Sequence, residues 1–175
     1  MRRLSFAWVL CLLAACARHG AASDEAVIAP LPTRAEVWAA VQPLAERYRM
    51  EPAFLYALVA AESDFNPRAR NGDARGLLQL KPRSWRAVSA APYEPTVWDW
   101  RANLAAGVDY LAYSRSYLHK QGGVTFSYPL LLAAFHYGID YVEERRFDVR
   151  RIPVPESAIY AELWRGNLAP VAPPN

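Results

Sequence analysis

The middle of the chain contains two segments, Ala61-Glu62-Ser63-Asp64-Phe65-Asn66-Pro67 and Gly76-Leu77-Leu78-Gln79-Leu80. Glu62 follows Leu55 and Leu58 at helical spacing, so its side chain is predicted to share the apolar face of its helix. It also falls in the last turn, where the helix macrodipole disfavours a negative charge. A carboxylic acid that keeps its proton is what general-acid catalysis requires. Glu62 is therefore a candidate catalytic acid, and the alternative is a surface glutamate at a helix end.

Helical patterns occupy most of the chain on both sides of these segments. Thr33 and Glu36 have the spacing of a capping box, which opens a first helix. The longest predicted helix, from about Arg101 to Gln121, is apolar on two faces, as is typical of a central, largely buried helix. Apart from a marginal hairpin near Gly72, no segment alternates as a strand does, so the sequence predicts an all-α fold. The other predicted helices are one through Glu62, a short one after Lys81-Pro82, one over 129–147 and one over 155–164.

The N-terminal residues 1–15 have the features of a signal peptide, with Arg2 and Arg3 before the apolar run Leu4–Leu13. That run is too short to cross a bilayer as a mature helix. It leads into Ala14-Ala15-Cys16, which resembles the lipobox of bacterial lipoproteins and implies that Cys16 is lipidated. The alternative is an ordinary secretory signal cut further on. Either way, we expect the protein to leave the cytoplasm.

The predicted domain organisation follows from these boundaries. The lipidated Cys16 and a flexible tether occupy 16–33, one helical domain occupies 34–168, and a Pro-rich tail over 169–175 is expected to be disordered. Cysteine occurs only at Cys11 and Cys16, so no disulfide is expected in the domain. By resemblance to bacterial lipoproteins, Ala17 after the cysteine favours a periplasmic location on the outer membrane.

Glu-Ser-x-Phe-x-Pro followed by Gly-Leu-x-Gln resembles the signature of lytic transglycosylases of the soluble-transglycosylase (SLT) type, which are relatives of goose-type lysozyme. The resemblance implies a lysozyme-like helical domain with a substrate cleft. Three later segments resemble the family's pattern in the same order. They are Asn103-Leu104 with Gly107 and Tyr110-Leu111; Ala133-Ala134-Phe135-His136-Tyr137-Gly138, where the family has Ala-Ala-Tyr-Asn-Ala-Gly; and Ile152-Pro153 with Glu156 and Tyr160.

The resemblance also implies a reaction. Glu62 would protonate the oxygen that links N-acetylmuramic acid to N-acetylglucosamine in peptidoglycan. It would then take a proton from the muramoyl 6-hydroxyl, which closes a 1,6-anhydro ring. One carboxylate suffices because the nucleophile belongs to the substrate, unlike in the two-carboxylate glycosidase scheme. Asp64 is expected to face away from Glu62. The residues expected to bind substrate are Ser63, Asn71, Gln79, Phe135, His136 and Glu156.

Several of these assignments have alternatives. Gln79 is expected to bond substrate or Glu62, or else to stabilise a turn. Ser63 belongs to the candidate substrate-binding set by its place in the motif, and the alternative, which we favour, is that it orients local backbone. Phe135 removes the hydroxyl of the family's Tyr, and His136, in place of its Asn, either lines the cleft or is structural. Tyr137 is an unpromising source of the missing hydroxyl, because its helical direction differs by about 100°.

Composition limits the remaining possibilities. The formal charge of +3 falls to +1 without Arg2 and Arg3, which is too small to indicate nucleic-acid binding. No Cys/His cluster, metal-binding helix motif or phosphate-binding loop occurs, so neither a cofactor nor a metal is expected. We expect a monomer whose partners are peptidoglycan strands and, through the anchor, a membrane. Two alternatives stay open: a hydrolase of the goose-lysozyme type and a non-catalytic, glycan-binding lipoprotein.

Overall fold

The computed structural model describes residues 31–174, so the predicted signal peptide and Cys16 lie outside the described residues. This part of the chain contains eight α-helices and one short hairpin, which confirms the prediction of a mainly α fold. None of its helices is both long and apolar enough to span a bilayer. The helices are α1 Arg34–Tyr48, α2 Pro52–Ser63, α3 Pro82–Val88, α4 Tyr93–Thr96, α5 Trp100–Gly122, α6 Tyr128–His136, α7 Ile139–Glu144 and α8 Ala158–Trp164; the strands are β1 Arg70–Asn71 and β2 Ala74–Arg75, and Val149–Arg151 forms a 3-10 turn.

The ends of α1 and α2 are set by local chemistry. The Thr33 hydroxyl accepts a hydrogen bond from the Glu36 amide at 3.1 Å, and the Glu36 carboxylate accepts one from the Thr33 amide at 2.8 Å, which confirms the capping box. Pro52 opens α2, where its missing amide proton costs nothing. Asp64 and Phe65 have φ of 47° and 62°, so the left-handed backbone stops α2 directly after Ser63.

The two apolar faces of α5 contact two hydrophobic clusters. Leu104 and Val108 belong to the cluster around α1, α2 and α8, whereas Ala106 and Tyr110 belong to the cluster around α3, α6 and α7. This arrangement confirms α5 as a central helix. α2 is buried along its length from Phe54 to Ala60, and it packs against α1 and α8. The helix that carries Glu62 is therefore held on several sides.

The segment after α5 differs from the sequence prediction. The single helix predicted over 129–147 is divided into α6 and α7, because Gly138 has φ 99° and ψ 154°, a conformation open essentially only to glycine. Residues 169–174 contain no helix or strand, and Leu168 and Val171 pack against the first cluster. Disorder of the tail over 169–175 stays a prediction.

Candidate active site

Glu62 lies in the last turn of α2 with its side chain only 12% exposed. The Tyr160 hydroxyl donates a hydrogen bond to Glu62 Oε1. His136 Nδ1 lies 3.9 Å from the same oxygen, which is too far for a hydrogen bond. Within residues 31–174, Glu62 Oε2 has no hydrogen-bonding partner and is not among the buried unpaired atoms, so it remains accessible. One oxygen is thus held by the protein and the other is open to a ligand.

Tyr160 is the site residue that the sequence interpretation missed. It comes from α8, is 2% exposed, and its backbone amide is capped by the Ser157 hydroxyl at 3.4 Å. Burial, together with the charge of Glu62 and the hydrogen bond to it, raises the pKa of Tyr160 well above 10. The hydroxyl therefore keeps its proton and remains a donor at neutral pH. The only sign of this residue in the sequence is its place in the Ile-Pro, Glu, Tyr pattern, which gives it no role.

The segment Phe135–Tyr137 places one ring at Glu62 and one in the interior. His136 ends α6 with 37% of its side chain exposed, and its ring centroid lies 5.0 Å from that of Tyr160. Phe135 is half-buried and contacts Tyr110, with centroids 5.9 Å apart. Tyr137 lies edge-on to His136 at 4.6 Å. The structure therefore brings His136 to the carboxyl group and turns Phe135 towards the core.

Gln79 stabilises the loop that precedes it. Its amide nitrogen donates to the carbonyls of Ala69 and Gly76, at 3.0 and 2.8 Å. Its backbone is left-handed, with φ 43°, and such strain persists only where neighbouring contacts fix it. These contacts support the turn-stabilising alternative for Gln79. Contact with substrate remains a prediction.

Helix α5 holds the segment before Gln79 through hydrogen bonds and close packing. The fully buried Asn103 accepts a hydrogen bond from the Leu78 amide at 2.9 Å. Its side-chain nitrogen donates to the carbonyls of Arg75 and Val97, at 2.9 and 3.2 Å. A Cβ atom on Gly107 would lie 2.3 Å from Leu78 Cδ1. These contacts give a physical role to Asn103 and Gly107 in the family pattern.

The other predicted site residues lie around this centre without contacting Glu62. The Ser63 hydroxyl donates to the Val59 carbonyl at 3.2 Å, in keeping with a backbone role. Asn71 is exposed on the hairpin, opposite Ala74. Glu156 is exposed, and its charge contributes to a raised pKa of the nearby Tyr137, for which burial is the larger cause. No group of three or more His, Cys, Asp or Glu side chains in residues 31–174 is placed to hold a metal ion.

Asp64, the neighbour of Glu62, faces solvent as predicted. Its side chain is 83% exposed, and its carboxylate pairs with Arg34 at 3.1 Å. The two adjacent carboxyl groups therefore have different surroundings. Glu62 is enclosed by two helices, whereas Asp64 caps the end of α2.

Comparison with known proteins finds a matching family model and similar solved structures. The family model described as "Transglycosylase SLT domain" matches residues 39–147, a range that includes Glu62 and His136 but ends before Tyr160. A solved structure of an inactive mutant of the lytic transglycosylase Slt from Pseudomonas aeruginosa is similar at 20% identity over 75% of this chain, with a TM-score of 0.48. The chain spans 22% of the length of that protein.

Proposed function

The chain belongs to the transglycosylase SLT domain family, and we propose that it cleaves the β-1,4 bond between N-acetylmuramic acid and N-acetylglucosamine in peptidoglycan. Glu62 is the single acid/base of this reaction. The observation that carries the proposal is the state of the Glu62 carboxyl group, enclosed by α6 and α8, bonded on Oε1 by Tyr160 and accessible on Oε2. That arrangement leaves one oxygen free to exchange a proton with a bound glycan.

The reaction uses one carboxyl group twice. In the first step, the Glu62 proton moves to the glycosidic oxygen and the bond from muramoyl C1 to that oxygen breaks. The carboxylate that forms is stabilised by Tyr160, because hydrogen bonds to ionised acceptors are stronger than neutral ones. In the second step, this carboxylate takes the proton of the muramoyl 6-hydroxyl, and O6 bonds to C1. The product is a 1,6-anhydro ring, Glu62 regains its proton, and no water is consumed.

His136 places a second polar group near Glu62 Oε1. Its Nδ1 lies 3.9 Å from Glu62 Oε1, and 37% of its side chain is exposed. We propose that it lines the cleft, where it donates to substrate or to the carboxylate after proton transfer. Phe135, packed against Tyr110, has no such role, so His136 and Tyr160 together supply the donors near Glu62.

Glu62→Gln tests the catalytic assignment. Glutamine keeps the shape of the side chain but can neither give nor take the proton. General acid–base catalysis contributes about 10²–10⁴ in rate, and because both steps use one group, turnover on isolated sacculi should fall by at least the upper value. Asp64→Asn is the matched control and should retain most activity, since Asp64 is exposed and pairs with Arg34. Near-normal cleavage by Glu62→Gln would sink the assignment.

The product identifies the type of cleavage. Mass analysis of the digested sacculi should show muropeptides that end in 1,6-anhydromuramic acid, each lighter by one water than the hydrolysis product. Reducing-end muramic acid as the sole product would instead assign the chain to hydrolysis of the goose-lysozyme type. Binding of sacculi without any cleavage would support the non-catalytic alternative.

We also propose where the reaction takes place. The lipobox-like Ala14-Ala15-Cys16 supports lipidation of Cys16, and Ala17 supports the outer membrane as the destination. The domain would then act as a monomer in the periplasm, tethered within reach of the cell wall. Residues 16–33 are long enough to extend roughly 60 Å if fully stretched, at about 3.3–3.6 Å per residue.

A further inference from the structure

A row of ring contacts leads away from the proposed catalytic carboxyl group. It begins at Tyr160, which donates to Glu62, and continues to His136 at a centroid distance of 5.0 Å. From His136 it passes to Tyr137 at 4.6 Å and from Tyr137 to Tyr141 at 4.8 Å, with the last two ring planes 27° apart. The row therefore links α8, the end of α6 and α7 without a gap.

The three outer members of this row are more accessible than Tyr160. Tyr160 is 2% exposed, whereas 37% of the His136 side chain is exposed and Tyr137 and Tyr141 are half-buried. In the described part of the chain, the hydroxyls of Tyr137 and Tyr141 have no hydrogen-bonding partner. Each of the three outer members thus combines a ring with a polar tip that is available to a ligand.

Arg145 packs against the outer end of the row. The Arg145 guanidinium carbon lies 3.2 Å from the ring centroid of Tyr141, and Arg145 donates to the Tyr141 carbonyl at 3.0 Å. Tyr141 thus contacts both Arg145 and Tyr137. Contacts of this kind restrict the rotamers of a side chain, so less conformational freedom is lost when it binds a ligand.

We propose that His136, Tyr137 and Tyr141 form a sugar-binding wall, which holds N-acetylhexosamine rings beyond the bond that Glu62 cleaves. This inference rests on the proposed function, because it places the glycan strand in front of Glu62. A pyranose ring has apolar C–H faces and a polar edge of hydroxyl and acetamido groups. Aromatic side chains with a polar tip match both surfaces. The wall gives the strand a direction, from Glu62 along α7.

The sequence of this chain supports a wall that the family pattern lacks. Where that pattern has Asn and Ala, this chain has His136 and Tyr137. The pattern thus places an amide and a methyl group at two positions that carry rings here. The competing role is packing alone, since Tyr137 and Tyr141 also contact the second hydrophobic cluster. Packing would stabilise the domain but would not change its affinity for sugar.

Binding to an inactive chain separates these roles. The parent protein is the full chain with Glu62→Gln, and the probe is chitohexaose, the hexamer of N-acetylglucosamine, titrated by calorimetry. Adding Tyr137→Ala or Tyr141→Ala should weaken binding about 3–10-fold each, the range for loss of one ring contact. The control is Tyr113→Ala, which removes a 42% exposed ring of α5 outside the wall and should leave the affinity unchanged.

Unchanged affinity in both alanine variants overturns the wall, as does a parent that binds no chitohexaose. If an alanine variant melts below the assay temperature, NMR of the parent decides: chitohexaose should shift side-chain signals of His136, Tyr137 and Tyr141, and their failure to shift overturns the proposal. The proposed function fails separately, through cleavage of sacculi by Glu62→Gln. Wall-dependent binding would persist in that case.

Discussion

The hydrogen bond from Tyr160 to Glu62 can be removed with little change in shape by Tyr160→Phe. Tyr160 is 2% exposed, so its contribution to catalysis passes through Glu62 rather than through contact with substrate. Hydrogen bonds to charged groups contribute about 1.5–3 kcal/mol. Most of this free energy stabilises the state in which the Glu62 carboxylate has formed. At ~1.4 kcal/mol per factor of ten, loss of the bond should lower kcat about 10–100-fold. KM should stay within about twofold. The hydrogen bond strengthens only during proton transfer, after substrate has bound, so its loss leaves ground-state binding intact.

The assay is release of soluble muropeptides from sacculi over a range of substrate concentrations, with thermal melts alongside. Tyr48→Phe is the matched control, since the Tyr48 hydroxyl donates to the Asp109 carboxylate between α1 and α5. Both variants lose a tyrosine–carboxylate bond, but Tyr48→Phe should keep its kcat. A kcat for Tyr160→Phe within a factor of two of the original, or an equal loss in both variants, would refute a positioning role for Tyr160.

The same substitution has a consequence for stability at high pH. Because the pKa of Tyr160 in the folded protein lies well above 10, the ordinary value of an unfolded tyrosine, the folded state binds this proton more tightly. Its contribution to stability is complete below pH 10 and is lost as pH rises towards the folded-state pKa. Tyr160→Phe should therefore flatten the decline of the melting temperature above pH 10. An unchanged decline would mean that other groups govern alkaline unfolding.

Three further substitutions test the support of the site and the anchor. Asn103→Ala leaves the Leu78 amide without its acceptor in the core, and urea unfolding should show a loss of about 2–4 kcal/mol; a loss below about 1 kcal/mol would contradict the role of this side chain. Gly107→Ala places a methyl group 2.3 Å from Leu78 Cδ1, so it should cost about 1–3 kcal/mol in the same assay, and an unchanged midpoint would show that Leu78 moves aside freely. Cys16→Ser should release the protein from the membrane fraction or leave it unprocessed, and fractionation like that of the original would argue against lipidation.

Local chemistry in the sequence was sufficient to predict the starts of α1 and α2 and to place Glu62 in the last turn of α2. The capping box at Thr33 and the start of α2 at Pro52 are decided by neighbouring residues, so they could be found without the structure. The contact between Glu62 and Tyr160 joins residues 98 positions apart. No periodicity within a helix encodes such a pairing, because it depends on how α2 packs against α8.

The end of α6 shows a second kind of limit. The sequence predicts a continuous helix over 129–147, but α6 ends at His136 and Gly138 starts a new direction before α7. Tyr137 still has helical backbone angles, with φ −91° and ψ −21°, and the hydroxyl that reaches Glu62 is that of Tyr160. Gly138 was visible in the sequence, but its φ of 99° was not.

The turn after Glu62 shows how residues outside the reaction set its geometry. Asp64 and Phe65 are non-glycine residues in the left-handed region, which costs on the order of 1–3 kcal/mol each. Phe65 offsets part of this cost by burial against Tyr56, with ring centroids 4.7 Å apart. Arg34 lies 4.7 Å from the centre of the Phe65 ring, whereas its 3.1 Å pair with Asp64 is exposed to solvent and contributes little. The first helix thus holds the turn that ends α2, and that ending leaves the Glu62 carboxyl group facing α6 and α8.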